Sequence, residues 1–186
     1  NWENVAKKTE EYLLKAADKY KKLGVLSTWK TKCGIATHSE ALIPTISDPK
    51  IKVLILGNVN SQVFGVDDSN VIRCWDEKNI VESQHNEVLK MCLENKIDHL
   101  LIQYHPGQHN FVALMNLISN LGEKGILSTL DIHSSIDFRN LINVKTKHTD
   151  LFHGSNKYVK TYIVHNENNI SVIYDVIERD RIKVVQ

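Results

Sequence analysis

The feature that most constrains how this chain folds is a repeated alternation of short apolar runs with helical stretches. Seven runs are rich in leucine and β-branched residues on both faces, as expected for parallel strands buried between two layers. These runs lie at residues 24–28, 52–56, 71–74, 99–103, 125–130, 160–164 and 182–185. Helix-period stretches separate them at residues 35–43, 80–95, 111–121, 138–141 and 168–178. The alternation predicts an α/β fold with a doubly wound, mainly parallel sheet of about seven strands.

The length of the chain suits one domain of this kind. With 186 residues it can fill one core and little else. Residues 1–22 precede the first apolar run and follow the period of an amphipathic helix, with Trp2, Tyr12 and Tyr20 on its apolar face. We therefore expect a leading helix over residues 1–22 and an α/β domain over residues 23–186.

Composition and charge argue against several classes of protein. A formal net charge of +1 argues against a nucleic-acid binder that uses a basic face. No apolar run reaches the roughly 20 residues that cross a bilayer, and the polar start lacks the pattern of a signal peptide. Cys33, Cys74 and Cys92 are too widely spaced for a zinc-binding pair, and their odd number argues against a disulfide framework. Reduced thiols in a cytosolic protein are the expectation.

Polar residues follow several predicted strands, at the edge where an open parallel sheet binds its ligands. Gly34 follows the first strand and opens a helix, so the backbone there can approach a phosphate, although a plain strand-to-helix turn explains it equally well. Residues 103–109, of sequence QYHPGQH, follow the fourth strand. His133 and His165 follow the fifth and sixth strands. Several histidines at one predicted edge favour a functional site there.

A metal-dependent hydrolase is the competing enzyme class. His105, His109, Asp131 and His133 are side chains that zinc or iron accepts as ligands, and they follow neighbouring predicted strands. No H-x-H or H-E-x-x-H spacing supports this interpretation. A serine hydrolase is disfavoured further, because the chain has no G-x-S-x-G nucleophile elbow.

Three short motifs at strand ends resemble those of a known enzyme family. Cys33 opens the sequence C-G-I-A-T, and the fourth strand runs H-L-L-I-Q-Y-H-P-G from His99. The fifth strand ends S-T-L-D-I-H at His133. In this order and spacing they resemble glycosyltransferase family 4, although two residues, rather than the family's one, separate Leu130 from the histidine. The resemblance covers residues 24–186 and implies a three-layer α/β/α Rossmann-like domain, the N-terminal half of a GT-B fold.

The resemblance implies a role for each residue that matches a motif. The turn of Cys33, Gly34 and Ile35 would lie against the diphosphate of a nucleotide-sugar and stabilise the departing nucleoside diphosphate. His133 would be the catalytic residue that faces the transferred sugar. The acceptor side of the cleft would be lined by Lys32, His38, Gln103, His105 and His109.

The resemblance also implies partners and a location. A nucleotide-sugar would be the donor and a glycan or a lipid-linked molecule the acceptor, in the cytoplasm or at the inner face of the membrane. No cofactor or metal is implied, because helix N-termini and basic side chains neutralise the diphosphate. The family's donor-binding domain would follow Gln186, so we expect this part to fold without transferring sugar. A module that only binds a nucleotide-sugar or a partner protein is the non-enzymatic alternative.

The start of the chain leaves two interpretations open. The sequence N-W-E-N-V-A from Asn1 resembles the segment that opens the last helix of many such transferases. The chain then joins the end of one transferase to the beginning of another, which fits its lack of an initiator methionine. Alternatively, residues 1–22 are an ordinary amphipathic helix.

Overall fold

A single sheet of seven parallel strands organises the molecule. The structure is a computed structural model, and it describes residues 8, 22–46, 48–60, 62–143 and 147–185. The strands are β1 (Lys22–Ser27), β2 (Lys52–Asn58), β3 (Val71–Trp75), β4 (His99–Tyr104), β5 (Leu127–Ile132), β6 (Val159–Val164) and β7 (Ile182–Val184). The helices are α1 (Gly34–Leu42), α2 (Asn86–Glu94), α3 (Phe111–Glu123), α4 (Ser135–Asn143), α5 (Lys147–Asn156) and α6 (Glu167–Ile173). The predicted α/β class with seven parallel strands is confirmed.

The order of the strands is β3-β2-β1-β4-β5-β6-β7. From β1 the chain moves outward through β2 to β3, then returns to the other side of β1 at β4 and continues outward to β7. The direction of the winding therefore reverses between β1 and β4. Right-handed crossovers put the connections of the two halves on opposite faces of the sheet, which gives a Rossmann-like three-layer arrangement.

Two apolar cores of unequal size cover the two faces. The larger core packs one face of the sheet against helices α2 to α6, with Ile102 and Leu130 among its strand residues and Phe138 and Phe152 among its helix residues. The smaller core lies under α1 and contains four buried side chains, Leu23, Val25, Leu42 and Leu101. The face that α1 covers thus has much less apolar packing than the other.

Helix α5 is the main element that the sequence pattern does not predict. Its sequence, KHTDLFHGSN, is mostly polar and carries a glycine, so it shows little helical periodicity of apolar residues. Phe152 and Ser155 nevertheless pack inward and are buried. Tertiary packing of Phe152, with Leu151 beside it, stabilises a helix here that the local pattern does not indicate.

Among the element boundaries that differ from prediction, two have a clear local cause. Strand β5 begins at Leu127 rather than residue 125, because Gly125 adopts a φ of 83° and ends α3. The amide of Ile126 donates to the carbonyl of Leu121, and that of Gly125 donates to Gly122, which is a Schellman termination. Helix α2 begins at Asn86 rather than residue 80, because the preceding residues form turns.

The predicted leading helix lies almost wholly outside the described residues. Residue 8 is helical, and Lys22 is already the first residue of β1 rather than the end of a helix. The Lys22 amide donates to Asp98 Oδ2 at 2.9 Å, which anchors the beginning of the strand. Among the described helices, none is long and apolar enough to cross a membrane.

Candidate functional site

Polar side chains gather on the face of the sheet under α1, near the reversal between β1 and β4. Side chains alternate between the two faces along a strand, and Leu101 of β4 belongs to the small core under α1. Gln103 is two residues further on and faces the same side, opposite Asp131 in the parallel register. His133 and His165 continue this alternation just beyond β5 and β6. The fold therefore brings the ends of three neighbouring strands together beneath α1.

Asp131 is the centre of the histidine–aspartate cluster, which we define as His38, Asp131, His133 and His165. Its carboxylate is fully buried. From α1, His38 Nε2 donates a hydrogen bond to Asp131 Oδ2 at 3.1 Å. From the end of β6, His165 Nε2 lies 2.9 Å from Asp131 Oδ1. Two imidazoles from different elements thus converge on one carboxylate that solvent does not reach.

His133 completes the cluster and is oriented by Gln103. His133 Nε2 donates to Gln103 Oε1 at 2.6 Å, because an amide oxygen can only accept. The His133 ring stacks on His165 with centroids 4.7 Å apart and meets His38 edge-on at 5.3 Å. Gln103 is itself fully buried, so this contact fixes the tautomer and the rotation of the imidazole.

The charges of the cluster follow from burial and from the carboxylate. Burial opposes ionisation of Asp131, but the imidazoles of His165 and His38 outweigh it and hold the pKa of the carboxyl well below its usual range. Burial lowers the pKa of His133 to about 4 against the opposing pull of Asp131. Burial also acts to lower the pKa of His165, but Asp131 overrides it and the pKa is raised. Near neutral pH, Asp131 is anionic and His133 is a neutral imidazole.

Three members of the cluster are placed as metal ligands are. Within the described residues, one ligand atom each from His38, Asp131 and His133 lies within 4.8 Å of the other two. This is not the set that the hydrolase interpretation names, because His109 points into the interior instead. His105 is not in the set either, and its Nδ1 accepts a hydrogen bond from an amide of its own loop at 3.0 Å.

The turn at Gly34 adjoins the cluster through α1. Cys33 is the N-cap of the helix, and its Sγ accepts from the amide of Ala36 at 3.5 Å. Sγ also lies 3.2 Å from Thr28 Oγ1 and 3.7 Å from Gln108 Nε2. Burial alone would raise the pKa of the Cys33 thiol, but these donors outweigh it and the pKa is lowered. The turn therefore favours negative charge, as helix N-termini generally do.

Comparison of the chain with protein-family models gives no match, and comparison with curated proteins gives none either. The function of the chain is therefore inferred from its fold and from the side chains at this edge of the sheet.

The structure distributes the other predicted site residues unevenly. His38, Gln103 and His133 come together in or beside the cluster. Lys32 is exposed on the turn before α1. Ile35 packs inward and is buried, so only its backbone can face a ligand.

His109 does not line the surface at this edge. Its ring is 2% exposed and stacks on Trp75, with centroids 4.7 Å apart and planes 16° from parallel. His109 Nε2 donates to the carbonyl of Gln103 at 3.1 Å, and its Nδ1 accepts from His85 Nε2 at 3.2 Å. We call His85 and His109 the buried histidine pair. A ring so enclosed cannot contact an acceptor.

Nothing in the sequence predicts that His85 is buried and paired with His109. It lies within the stretch 80–95 that periodicity assigns to one helix, where a lone histidine indicates nothing. Burial holds the pKa of His85 well below its usual range and lowers that of His109 to about 4. Both rings are therefore neutral near pH 7, and their hydrogen bonds are those of a structural pair.

Proposed function

We propose that the chain is the acceptor-side Rossmann-like half of a retaining glycosyltransferase. The enzyme moves a sugar from a nucleotide-sugar to a glycan or a lipid-linked acceptor, and a second Rossmann-like domain supplies the rest of the donor site. The turn of Cys33, Gly34 and Ile35 contacts the diphosphate, and His133 contacts the transferred sugar.

The observation that carries the proposal is the environment of Gly34. A Cβ added to this glycine would meet no atom within 4 Å, and Gly34 is not among the residues with positive φ. The described fold therefore needs no glycine at this position. A remaining reason for a glycine here is that it lets a ligand approach the backbone closely. A phosphate is such a ligand, because the N-terminus of a helix attracts it.

Helix α1 connects this turn to the histidine–aspartate cluster. His38 lies four residues after Gly34, so about 6 Å of helix separates the first turn from the ring that contacts Asp131. A diphosphate at Gly34 and a sugar attached to it would therefore reach the cluster. Because His133 is neutral, it can exchange hydrogen bonds with sugar hydroxyls without bringing a second charge.

The amides at the beginning of α1 supply the chemistry that sugar transfer needs. Negative charge grows on the departing diphosphate as the glycosidic bond to it breaks. Donors that are already oriented towards that charge stabilise the transition state more than the ground state. Hydrogen-bond donors around Sγ, among them Thr28 and the amides of Ala36 and Ile35, outweigh burial and lower the pKa of the Cys33 thiol, which illustrates the local preference for an anion.

The test follows release of nucleoside diphosphate from a panel of nucleotide-sugars with candidate acceptors. The chain is assayed alone and joined to the donor-binding domain that the proposal requires. We expect turnover only from the joined polypeptide, with a loss of at least about tenfold, or 1.4 kcal/mol, in His133→Ala and Gly34→Ala. His153→Ala is the matched control, because His153 is an exposed histidine on α5.

Each contrary outcome removes a different part of the proposal. Turnover by the chain alone would contradict the division into half-sites. Turnover of the joined polypeptide that neither variant changes would place the transfer site elsewhere. Binding of a nucleotide-sugar without turnover under any acceptor would favour the non-catalytic module.

A further inference from the structure

We propose that His38, Asp131 and His133 bind one divalent transition-metal ion of the zinc type. The inference does not depend on the proposed function, because it concerns the binding of an ion rather than a reaction. At His133 the two proposals exclude each other, since a metal on Nδ1 would take the lone pair that a sugar hydroxyl would otherwise use. It is carried by the geometry, burial and donor set of the histidine–aspartate cluster.

The spacing of the ligand atoms suits a small cation. Zinc binds imidazole nitrogen and carboxylate oxygen at about 2.0–2.2 Å, which places neighbouring ligands of a tetrahedral site about 3.3 Å apart. His38 Nε2 and Asp131 Oδ2 are already 3.1 Å apart. His133 completes a set in which one ligand atom from each of the three residues lies within 4.8 Å of the other two. Small side-chain rotations would bring the third ligand to the required distance.

The donor set and its charge fit the same class of ion. Two imidazoles and one carboxylate are a ligand set of catalytic zinc sites and of non-haem iron sites, both of which keep at least one further position open. The carboxylate of Asp131 supplies one negative charge in a fully buried position. A divalent cation beside it would be held more strongly than at the surface, because water screens the attraction less there.

One carboxylate oxygen of the cluster, Asp131 Oδ1, has no hydrogen bond within the described residues. Asp131 Oδ1 lies 2.9 Å from His165 Nε2, but the two atoms lack the angles of a hydrogen bond. Oδ1 is also fully shielded from solvent. Buried carboxylate oxygens are normally bonded. A cation in contact with the carboxylate would satisfy this oxygen or draw the carboxylate into a bidentate position.

Gln103 provides the outer contact that ligating histidines usually have. A ligating imidazole typically donates its second N–H to a neighbouring acceptor, which fixes the tautomer and raises the basicity of the ligand nitrogen. His133 Nε2 donates to Gln103 Oε1 at 2.6 Å, which leaves the lone pair of Nδ1 for a metal. Since Gln103 is fully buried, it cannot exchange this contact for water.

The first experiment titrates the untagged 186-residue chain with Co²⁺, and then displaces the Co²⁺ with Zn²⁺. We expect one Co²⁺ per chain, with the strong visible d–d absorption of four- or five-coordinate cobalt, abolished by one equivalent of Zn²⁺. X-ray absorption of the Zn²⁺-loaded wild-type chain should show at least two imidazoles and a carboxylate oxygen. No intense d–d absorption, or fewer than two imidazoles, would overturn the proposal without any variant.

Variants then assign the ligands. His38→Phe keeps a ring and Asp131→Asn keeps the shape of the side chain, and we expect each to weaken Co²⁺ binding at least about a hundredfold. Gln103→Ala should weaken it roughly ten- to a hundredfold, as loss of an outer contact does. His153→Ala should bind as the wild type does, because His153 is exposed on α5. Unchanged binding in both His38→Phe and Asp131→Asn, with circular dichroism showing them folded, would overturn the assignment.

Discussion

Two groups of histidines lie near the same edge of the sheet, and they differ in what surrounds them. The histidine–aspartate cluster arranges three imidazoles around the buried carboxylate of Asp131. The buried histidine pair has no carboxylate in contact among the described residues and packs its rings beside Trp75 and Tyr104. The same side chain is therefore used in two ways, and the neighbouring charge decides which.

Burial acts to lower the pKa of the histidines in both groups, but in the cluster the Asp131 carboxylate opposes it. In the pair, burial lowers the pKa of both rings, so neither carries charge near neutral pH and each hydrogen bond has one fixed direction. In the cluster, Asp131 stays ionised and raises the pKa of His165. The pair thus behaves as aromatic core with one ordered line of hydrogen bonds. The cluster concentrates charge that a ligand can use, which is why a perturbed pKa alone does not identify a site.

The largest effect on stability should come from removing the Asp131 carboxylate, the charge that distinguishes the cluster from the buried pair. Asp131→Ala deprives His38 of its hydrogen-bond acceptor and His165 of its ion-pair partner in a place that water does not reach, and we expect the free energy of unfolding to fall by about 3 kcal/mol. Urea unfolding at pH 7 with a chelator present measures this. Asp131→Asn retains the shape and should lose less. A loss in Asp131→Ala smaller than about 0.5 kcal/mol, the range of ordinary surface substitutions, would mean that the cluster does not contribute to folding.

The buried pair consists of neutral partners, so a substitution in it should reduce stability less than removal of the Asp131 charge. His109→Phe leaves the Nε2–H of His85 without its acceptor and removes the hydrogen bond from His109 to the carbonyl of Gln103, and should cost about 2 kcal/mol. The double variant His85→Leu/His109→Phe should cost less than the sum of its single variants, since it removes both rings of the pair. Additive losses in a double-mutant cycle would show that the two rings are independent.

The pH dependence of the free energy of unfolding tests the same pair of residues in a second way. The pKa of His109 in the folded chain is about 4, below the value of about 6.5 for an unfolded chain. The unfolded chain therefore binds more protons between these values, and stability that is complete above about pH 6.5 is lost as the pH falls towards 4. The double variant should lose less over this interval than the wild type.

The smallest effect on stability should come from Gly34→Ala. The added methyl group meets no atom within 4 Å, so we expect a change below about 0.5 kcal/mol. Gly122→Ala is the contrasting control, because its Cβ would lie 2.1 Å from Tyr158 Cγ and thermal unfolding should occur at a clearly lower temperature. A large loss in Gly34→Ala would mean that the fold itself requires this glycine, and would remove the main support for a ligand there.

The sequence predicts the sheet well because its strands are buried on both faces. Apolar runs of this kind allow few alternatives, and their ends place Gly34, Gln103 and His133 at one edge by topology alone. It does not predict that His38 meets Asp131, because the contact joins a helix to a strand 93 residues away. Nor does the sequence predict that His85 and His109 pair. Periodicity assigns His85 to a helix, whereas the structure places it in a turn. Helix α5 is not predicted because its sequence is mostly polar and has no periodic apolar face, although Phe152 is buried.

The unequal cores have a consequence for how the site moves. Helix α1 carries both the Gly34 turn and His38, and it covers the smaller core of four buried side chains. Local opening of α1 therefore exposes less apolar surface than opening of the helices on the other face, and its backbone amides should exchange with solvent sooner. A ligand that contacts the turn and the cluster together would hold the N-terminal half of this helix, from Gly34 to His38, against the sheet. Slower amide exchange in α1 would then report occupancy of the site before any chemistry occurs.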